Sequence, residues 1–115
     1  MDDILKLIET VDYANERAMF ALNEKVYEWL LSINPEAKYG NFVFSRDALK
    51  SIRPEGWEFL FDSDCGENRC EMWIAINDGL DQKIIRNSEL PTEELAELHA
   101  IIQAINYERL EQERK

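Results

Sequence analysis

Apolar positions in the first third of the chain recur at steps of three and four, which is the spacing of one face of a helix. The stripe runs through Ile4, Leu7, Ile8, Val11, Ala14, Ala18, Ala21, Leu22, Val26, Trp29 and Ile33. Asp12 and Asn15 are residue types that cap helices, and Asn34–Pro35 is a stop signal. The pattern predicts a short first helix and a longer second helix over about residues 13 to 33.

The second predicted helix is apolar around much of its circumference. Met19, Phe20, Tyr27, Leu30 and Leu31 widen its stripe. A helix of this kind must be covered on more than one side. We therefore expect it to be central in the fold or to form a homodimer.

The middle of the chain changes to alternating apolar and polar positions, which is typical of strands. Residues 41–44 predict a short strand, and Ser45 is expected to cap a short helix that ends near Ile52. Residues 57–62 and 72–76 predict the two strands of a hairpin, and residues 83–86 predict a further edge strand. Trp57, Phe59 and Phe61 would then face the core, which leaves acidic residues on the other face.

The last segment opens with Pro91 and acidic residues, a combination typical of a helix N-terminus, and its apolar positions predict a helix to about residue 112. The predicted fold is a single acidic α+β domain over residues 1–115. It comprises a small antiparallel sheet of three to four strands packed against two N-terminal helices and one C-terminal helix.

Charge narrows the classes of function. The chain has 115 residues with 24 Asp and Glu against 13 Lys and Arg, a net charge of −11. This sign disfavours direct binding to nucleic acid, which depends on clustered cations. No apolar run approaches the ~20 residues of a membrane span, and Met1–Ile4 lack the basic start of a secretory signal. We expect a cytoplasmic protein with no membrane partner.

The negative charge is concentrated in the predicted hairpin. Residues 55–81 contain eight carboxylates and a single cation, Arg69. Such a surface would accelerate association with a basic partner. Alternatively, these acids form only the solvated face of the sheet and protect it from aggregation. The predicted partner-binding residues are Glu58, Asp62, Asp64, Glu67, Glu71 and Trp73.

No pattern in the chain indicates catalysis, a cofactor or a metal. Cys65 and Cys70 have no zinc spacing, and whether they are bridged stays open. Asp62, Asp64, Cys70 and Glu71 resemble part of a short extracellular calcium-binding motif. However, Gly66 stands where that motif has its third Asp, and Glu67 stands where it has its turn Gly. His99 has no nucleophile near it in sequence, so it is expected to lie at the edge of the core.

The sequence therefore predicts a non-enzymatic interaction protein that binds and inhibits a basic partner protein. By analogy of size and charge alone, this suggests a phage or mobile-element inhibitor of a host nuclease or other defence protein, which mimics nucleic acid with carboxylates in place of phosphates. The alternatives are an immunity protein that neutralises a toxin, and a homodimeric structural or assembly subunit.

Overall fold

The computed structural model describes the backbone of residues 2–54, 56–64, 67–76, 81–86, 90 and 92–113, and the side chains of residues 4–54, 56–58, 90 and 92–110. Helix α1 covers Asp2–Thr10 and helix α2 covers Glu16–Ile33. Both agree with the predicted helices. The cap of α2 is Asn15, whose side chain accepts a hydrogen bond from the Ala18 amide.

The short helix α3 covers Arg46–Lys50, and its cap is Ser45, as predicted. The predicted strand at residues 41–44 is wrong, because this segment forms a turn. Its backbone bonds explain why: the carbonyl of Asn41 accepts hydrogen bonds from the amides of Phe44 and Ser45, so the chain closes on itself.

Three strands follow: β1 at Glu58–Asp64, β2 at Glu67–Ile76 and β3 at Asp81–Arg86. They pair antiparallel in the order β1-β2-β3. Gly56, which precedes β1, has a φ of 86°, a conformation that L side chains rarely adopt. The last helix, α4, covers Glu93–Glu113.

Helix α4 is the centre of the fold. It contacts α1, α3, β2 and β3. Almost every residue from Leu95 to Ala104 is buried, including residues that the sequence placed off its apolar face. Full burial of a Leu or Ile side chain contributes about 1.5–3 kcal/mol, so this helix carries much of the core energy.

The predicted α+β fold class is wrong. Of the residues whose side chains the structure describes, 65% are helical and 3% are in strand, so the core that these side chains form is built mainly by four helices and not by the β1-β2-β3 strands. The β1-β2-β3 backbone flanks α4 instead of supplying the layer on which both N-terminal helices pack. The physical reason is that α4 buries nearly its whole circumference, and α1 packs against α2 and α4 instead of against strands.

The prediction for α2 is also corrected. Its buried residues are Met19, Leu22, Asn23, Val26 and Leu30, which lie along one side. Phe20, on the flank of this buried side, is 49% exposed. Within the described part of the chain α2 is thus a peripheral helix. Of the residues that widened its apolar stripe, Met19 and Leu30 are buried, Tyr27 and Leu31 are half-buried, and Phe20 is exposed.

Candidate functional site

The acidic residues predicted to bind a partner lie on the first two strands. Glu58 begins β1 and its side chain is exposed. Asp62 and Asp64 are on β1, and Glu67, Glu71 and Trp73 are on β2. The side chains of these five residues lie outside the described residues, so their role in binding stays a prediction.

The strand register places the six positions on one side of the sheet. Glu58 is opposite Trp73, and Asp64 is opposite Glu67, while Glu71 is opposite a leucine of β1. Residues opposite each other in an antiparallel pair share a face. The geometry of the backbone thus brings the predicted residues together along one ribbon.

Two arginine positions share that face. Arg69 is opposite Asp62, and Arg86 of β3 is opposite Glu71. The ribbon therefore combines five carboxylate positions with two cations from its own chain. This lowers its expected net charge, so the ribbon alone is a weaker candidate than the sequence suggested.

The described residues contain a second candidate, which we call the aromatic surface: Phe20 and Tyr27 of α2 with Tyr39 and Phe44 of the following segment. Phe20 and Phe44 form one pair, with ring centroids 5.1 Å apart. Tyr27 and Tyr39 form another at 5.1 Å, in an edge-to-face arrangement. Phe44 is 41% exposed and Tyr39 is 51% exposed, so large aromatic faces remain in contact with solvent.

Asn23 holds the segment of residues 39–43 against α2, and this segment with the next residue supplies Tyr39 and Phe44 to the aromatic surface. Asn23 is fully buried on α2. Its amide nitrogen donates to the Tyr39 hydroxyl at 3.1 Å and to the Gly40 carbonyl at 3.0 Å. Its oxygen accepts from the Val43 amide at 3.2 Å. One side chain thus holds both ends of the 39–43 segment against the helix.

Gly40 allows the close packing of this segment. A Cβ at this position would lie 3.1 Å from Cε1 of Phe42, which is closer than most real contacts. Phe42 and Val43 are themselves part of this segment, and the burial of their side chains anchors it to the core. The aromatic surface is therefore built on an ordered support.

Carboxylates follow the aromatic rings along α2. Glu16, Phe20, Glu24 and Glu28 are spaced by four residues, so they lie in a line on one exposed side of the helix. The Tyr39 hydroxyl donates to Glu24 at 3.0 Å. Glu28 is also 3.7 Å from Lys25 in an exposed ion pair, which contributes little because solvent screens it.

Aromatic faces next to carboxylates are suited to bind cations. The negative face of a phenyl or phenol ring attracts Arg and Lys groups, and a carboxylate beside it can pair with the same group. Exposed aromatic side chains are also enriched among the residues that dominate protein–protein binding. From the sequence, Tyr27 was a weak signal of an interface, whereas Phe20 was only an apolar helix residue and Phe44 was assigned to a strand.

A buried ionic cluster joins α3 to α4. Glu97 has a side chain only 2% exposed and pairs with Arg53 at 3.0 Å and with Arg46 at 3.7 Å. Arg46 also contacts Glu93 at 3.4 Å. Burial raises the pKa of Glu97 above its usual value, although both arginines act to lower that pKa. With so little exposed surface, this carboxylate holds the two helices together and is not accessible to a substrate.

His99 is buried, whereas the sequence placed it at the edge of the core. Its Nδ1 lies 2.7 Å from Nε2 of Gln103, and its Nε2 lies 3.7 Å from a carboxylate oxygen of Glu9. Burial lowers the pKa of His99, and the nearby Glu9 partly opposes this. In the sequence, Glu97 and His99 stand between apolar residues of α4. This placement was the feature from which their burial could have been predicted.

Three other features bear on function. Among the side chains that the structure describes, no group of three His, Cys, Asp or Glu residues could hold a metal ion. No helix in the described part of the chain combines the length and the apolar character that crossing a membrane requires. Cys65 and the side chain of Cys70, for which the sequence left a bridge open, lie outside the described residues.

Comparisons of the chain with protein-family models, with curated proteins and with solved structures find no match.

Proposed function

We propose that the protein is a non-enzymatic interaction protein that binds and inhibits a basic partner protein, and that the aromatic surface is the centre of contact. The acidic ribbon of β1 and β2 would extend this contact or steer the partner toward it. The proposed function is the one expected from the sequence. The residues expected to contribute most of the binding energy, however, lie on the aromatic surface and not on the sheet.

The observation that carries the proposal is the exposed pair of Phe20 and Phe44 beside glutamates of α2. The two rings contact each other but leave nearly half of each side chain in solvent. Contiguous exposed apolar area with a polar rim is characteristic of interaction sites. Neighbouring carboxylates make a cationic partner the best match for that rim.

Binding would proceed in two physical steps. The net charge of −11 attracts a basic protein over a distance of about one Debye length, which is ~8 Å at physiological ionic strength. Arg or Lys groups would then lie on the rings of Phe20 or Phe44 and pair with Glu24, as the ring faces and the carboxylate favour. The first step sets the association rate, and the second sets the residence time.

The class of partner follows from this chemistry. A nucleic-acid-binding groove and the active site of a nuclease are both lined with Arg and Lys, and both are sites that an acidic protein could occupy. An inhibitor of a host defence nuclease and an immunity protein that neutralises a toxin would use the same surface. Identification of the bound partner separates these two roles, and both roles place the protein in the cytoplasm.

A homodimer is the second candidate, because the uncovered side of α2 could be buried against a second copy. Charge argues against this arrangement. Pairing the same surface with itself would bring Glu16, Glu24 and Glu28 of the two copies together, and like charges in close contact are unfavourable. Light scattering over a range of concentrations tests it: a constant monomer mass excludes the dimer.

The test of the proposal is capture of binding proteins from a cell lysate by immobilised wild type and by a Phe20→Ser, Phe44→Ser double variant. Tyr13→Ser is the matched control, since Tyr13 is a 56% exposed aromatic residue in the turn before α2 and outside the aromatic surface.

The proposal predicts a basic protein that the wild type and the Tyr13 variant retain, that the double variant loses, and that high salt elutes. Equal capture by all three proteins, or a captured partner without basic character, would refute it. Circular dichroism of the double variant shows that the loss does not come from unfolding.

A further inference from the structure

Within the aromatic surface, Phe20 lies between two exposed carboxylates of its own helix. Glu16 precedes it by four residues and Glu24 follows it by four, a spacing that places neighbouring side chains on the same side of a helix. Neither carboxylate forms an ion pair within the described part of the chain, whereas Glu28 pairs with Lys25 at 3.7 Å. The Phe20 ring is thus bordered by negative charge that a partner could neutralise.

The carboxylate of Glu24 is held in a defined position by the fold. Its Oε1 accepts a hydrogen bond from the Tyr39 hydroxyl at 3.0 Å, and this hydroxyl accepts one from the Asn23 amide nitrogen at 3.1 Å. Asn23 is fully buried, so these hydrogen bonds connect the surface carboxylate to the core. Oε2 of Glu24 has no hydrogen-bond partner among the described residues, and it therefore stays available to a donor from another molecule.

The ring next to this carboxylate is open to solvent. Phe20 is 49% exposed, and its ring plane is tilted by 54° from that of Phe44. Tilted rings do not cover each other's faces as stacked rings do, so part of the Phe20 face remains free for a flat group. The face of an aromatic ring is negative, as is the carboxylate beside it. The group that fits this position is therefore both planar and cationic.

We propose that this position binds an arginine side chain of the partner in preference to a lysine. A guanidinium is planar, so it can lie on the Phe20 ring while its N–H groups donate to Glu24. A lysine ammonium is a compact and strongly hydrated charge without a flat face, so it satisfies the carboxylate but stacks poorly. This inference rests on the proposed function, because it names the side chain with which a basic partner contacts the aromatic surface.

The test is an NMR titration of the ¹⁵N-labelled protein with three capped peptides: tri-arginine, tri-lysine and tri-citrulline, which keeps the planar group but has no charge. We expect saturable shifts at residues 16–24 and 39–44, with tri-arginine bound about fivefold more tightly than tri-lysine and tri-citrulline bound most weakly. Equal binding of tri-arginine and tri-lysine, or shifts confined to β1 and β2, would overturn the inference. Either result would leave the proposed function in place, since capture of a basic partner from the lysate tests that separately.

Two variants separate the charge from the ring. Glu24→Gln keeps an acceptor for the Tyr39 hydroxyl but removes the charge, and it should weaken tri-arginine binding about fivefold. Phe20→Leu keeps an apolar side chain but removes the ring face, and it should abolish the preference for arginine over lysine. Glu36→Gln is the matched control, because Glu36 is exposed in the turn after α2 and outside the aromatic surface. The ¹⁵N spectrum of each free variant shows whether it is folded. Tri-arginine binding that is unchanged in folded Glu24→Gln and Phe20→Leu would also overturn the inference.

Discussion

Asn23 is the buried polar residue on which the shape of the aromatic surface depends. Its three hydrogen bonds join α2 to Tyr39, Gly40 and Val43. Asn23→Ala should lower the free energy of unfolding by about 2–4 kcal/mol, since it opens a small cavity and leaves buried backbone groups without partners. Urea unfolding measures this change.

Asn41→Ala is the control for that variant. The side chain of Asn41 is exposed. The residue accepts its hydrogen bonds from Phe44 and Ser45 through the backbone carbonyl. We expect a change within about 0.5 kcal/mol, as for other surface substitutions. A loss at Asn23 no larger than the loss at Asn41 would contradict the role assigned to Asn23.

The protonation of Glu97 makes the free energy of unfolding depend on pH. Burial raises its pKa in the folded state above the ordinary value of 4.5, so folding favours its protonated form. The corresponding stabilisation is complete below pH 4.5 and is lost as the pH rises through the folded-state pKa. Glu97→Gln mimics the protonated form at every pH and removes this dependence.

The measurement is the free energy of unfolding of the wild type and of Glu97→Gln from about pH 4 to about pH 8. This range spans the titration of a carboxyl group whose pKa is raised. The stability of the wild type relative to the variant should fall as the pH rises. A relative stability that increases with pH would show that Arg46 and Arg53 outweigh the cost of burial.

At the scale of elements, the cap of α2 can be tested directly. The Asn15 side chain accepts from the Ala18 amide at 3.2 Å. Asn15→Ala should cost about 1 kcal/mol, whereas Asn15→Asp retains an acceptor at the positive end of the helix and should cost much less. Thermal unfolding of the two variants checks this. An equal loss in both would show that the hydrogen-bond acceptor at position 15 is not what stabilises the helix.

The helices could be predicted from the sequence because their signals are local. Caps, stop residues and apolar spacing located α1, α2, α3 and α4 to within a few residues. The turn at residues 41–44 could not be predicted in this way. Its alternating apolar pattern looks like a strand, but the residues bury Phe42 and Val43 while the backbone bonds of Asn41 close a turn.

The predicted fold class was wrong because apolar periodicity indicates whether a segment is a helix or a strand, but not which other elements pack against it. The alternating residues of the hairpin suggested that the sheet forms the core layer on which all helices pack. The structure places that role on α4, whose small residues Ala96, Ala100 and Ala104 allow close approach of other elements on the sides away from Leu98 and Ile101. In the sequence, the apolar stripe of α4 together with its alanines was the feature that indicated a central helix.

At the scale of the whole molecule, net charge favours a basic partner, which stays a prediction, and it gives no position for a binding site. The sequence concentrates carboxylates on β1 and β2, and the register does place the six predicted positions on one face. Long-range pairing decides which cations share that face, and it brings in Arg69 and Arg86. The aromatic surface depends on contacts between residues 12 to 24 positions apart, such as Tyr27 with Tyr39 and Phe20 with Phe44, which no local pattern shows.

The most direct test of the account is the affinity for the captured partner, measured by calorimetry as a function of salt for wild type and for the Phe20→Ser, Phe44→Ser variant. The account predicts that affinity falls steadily as salt rises, and that the variant binds at least about tenfold more weakly at every salt concentration, since each exposed aromatic residue at the centre of an interface contributes about 1 kcal/mol or more. Affinity that is indifferent to salt, or equal in the two proteins, would contradict it.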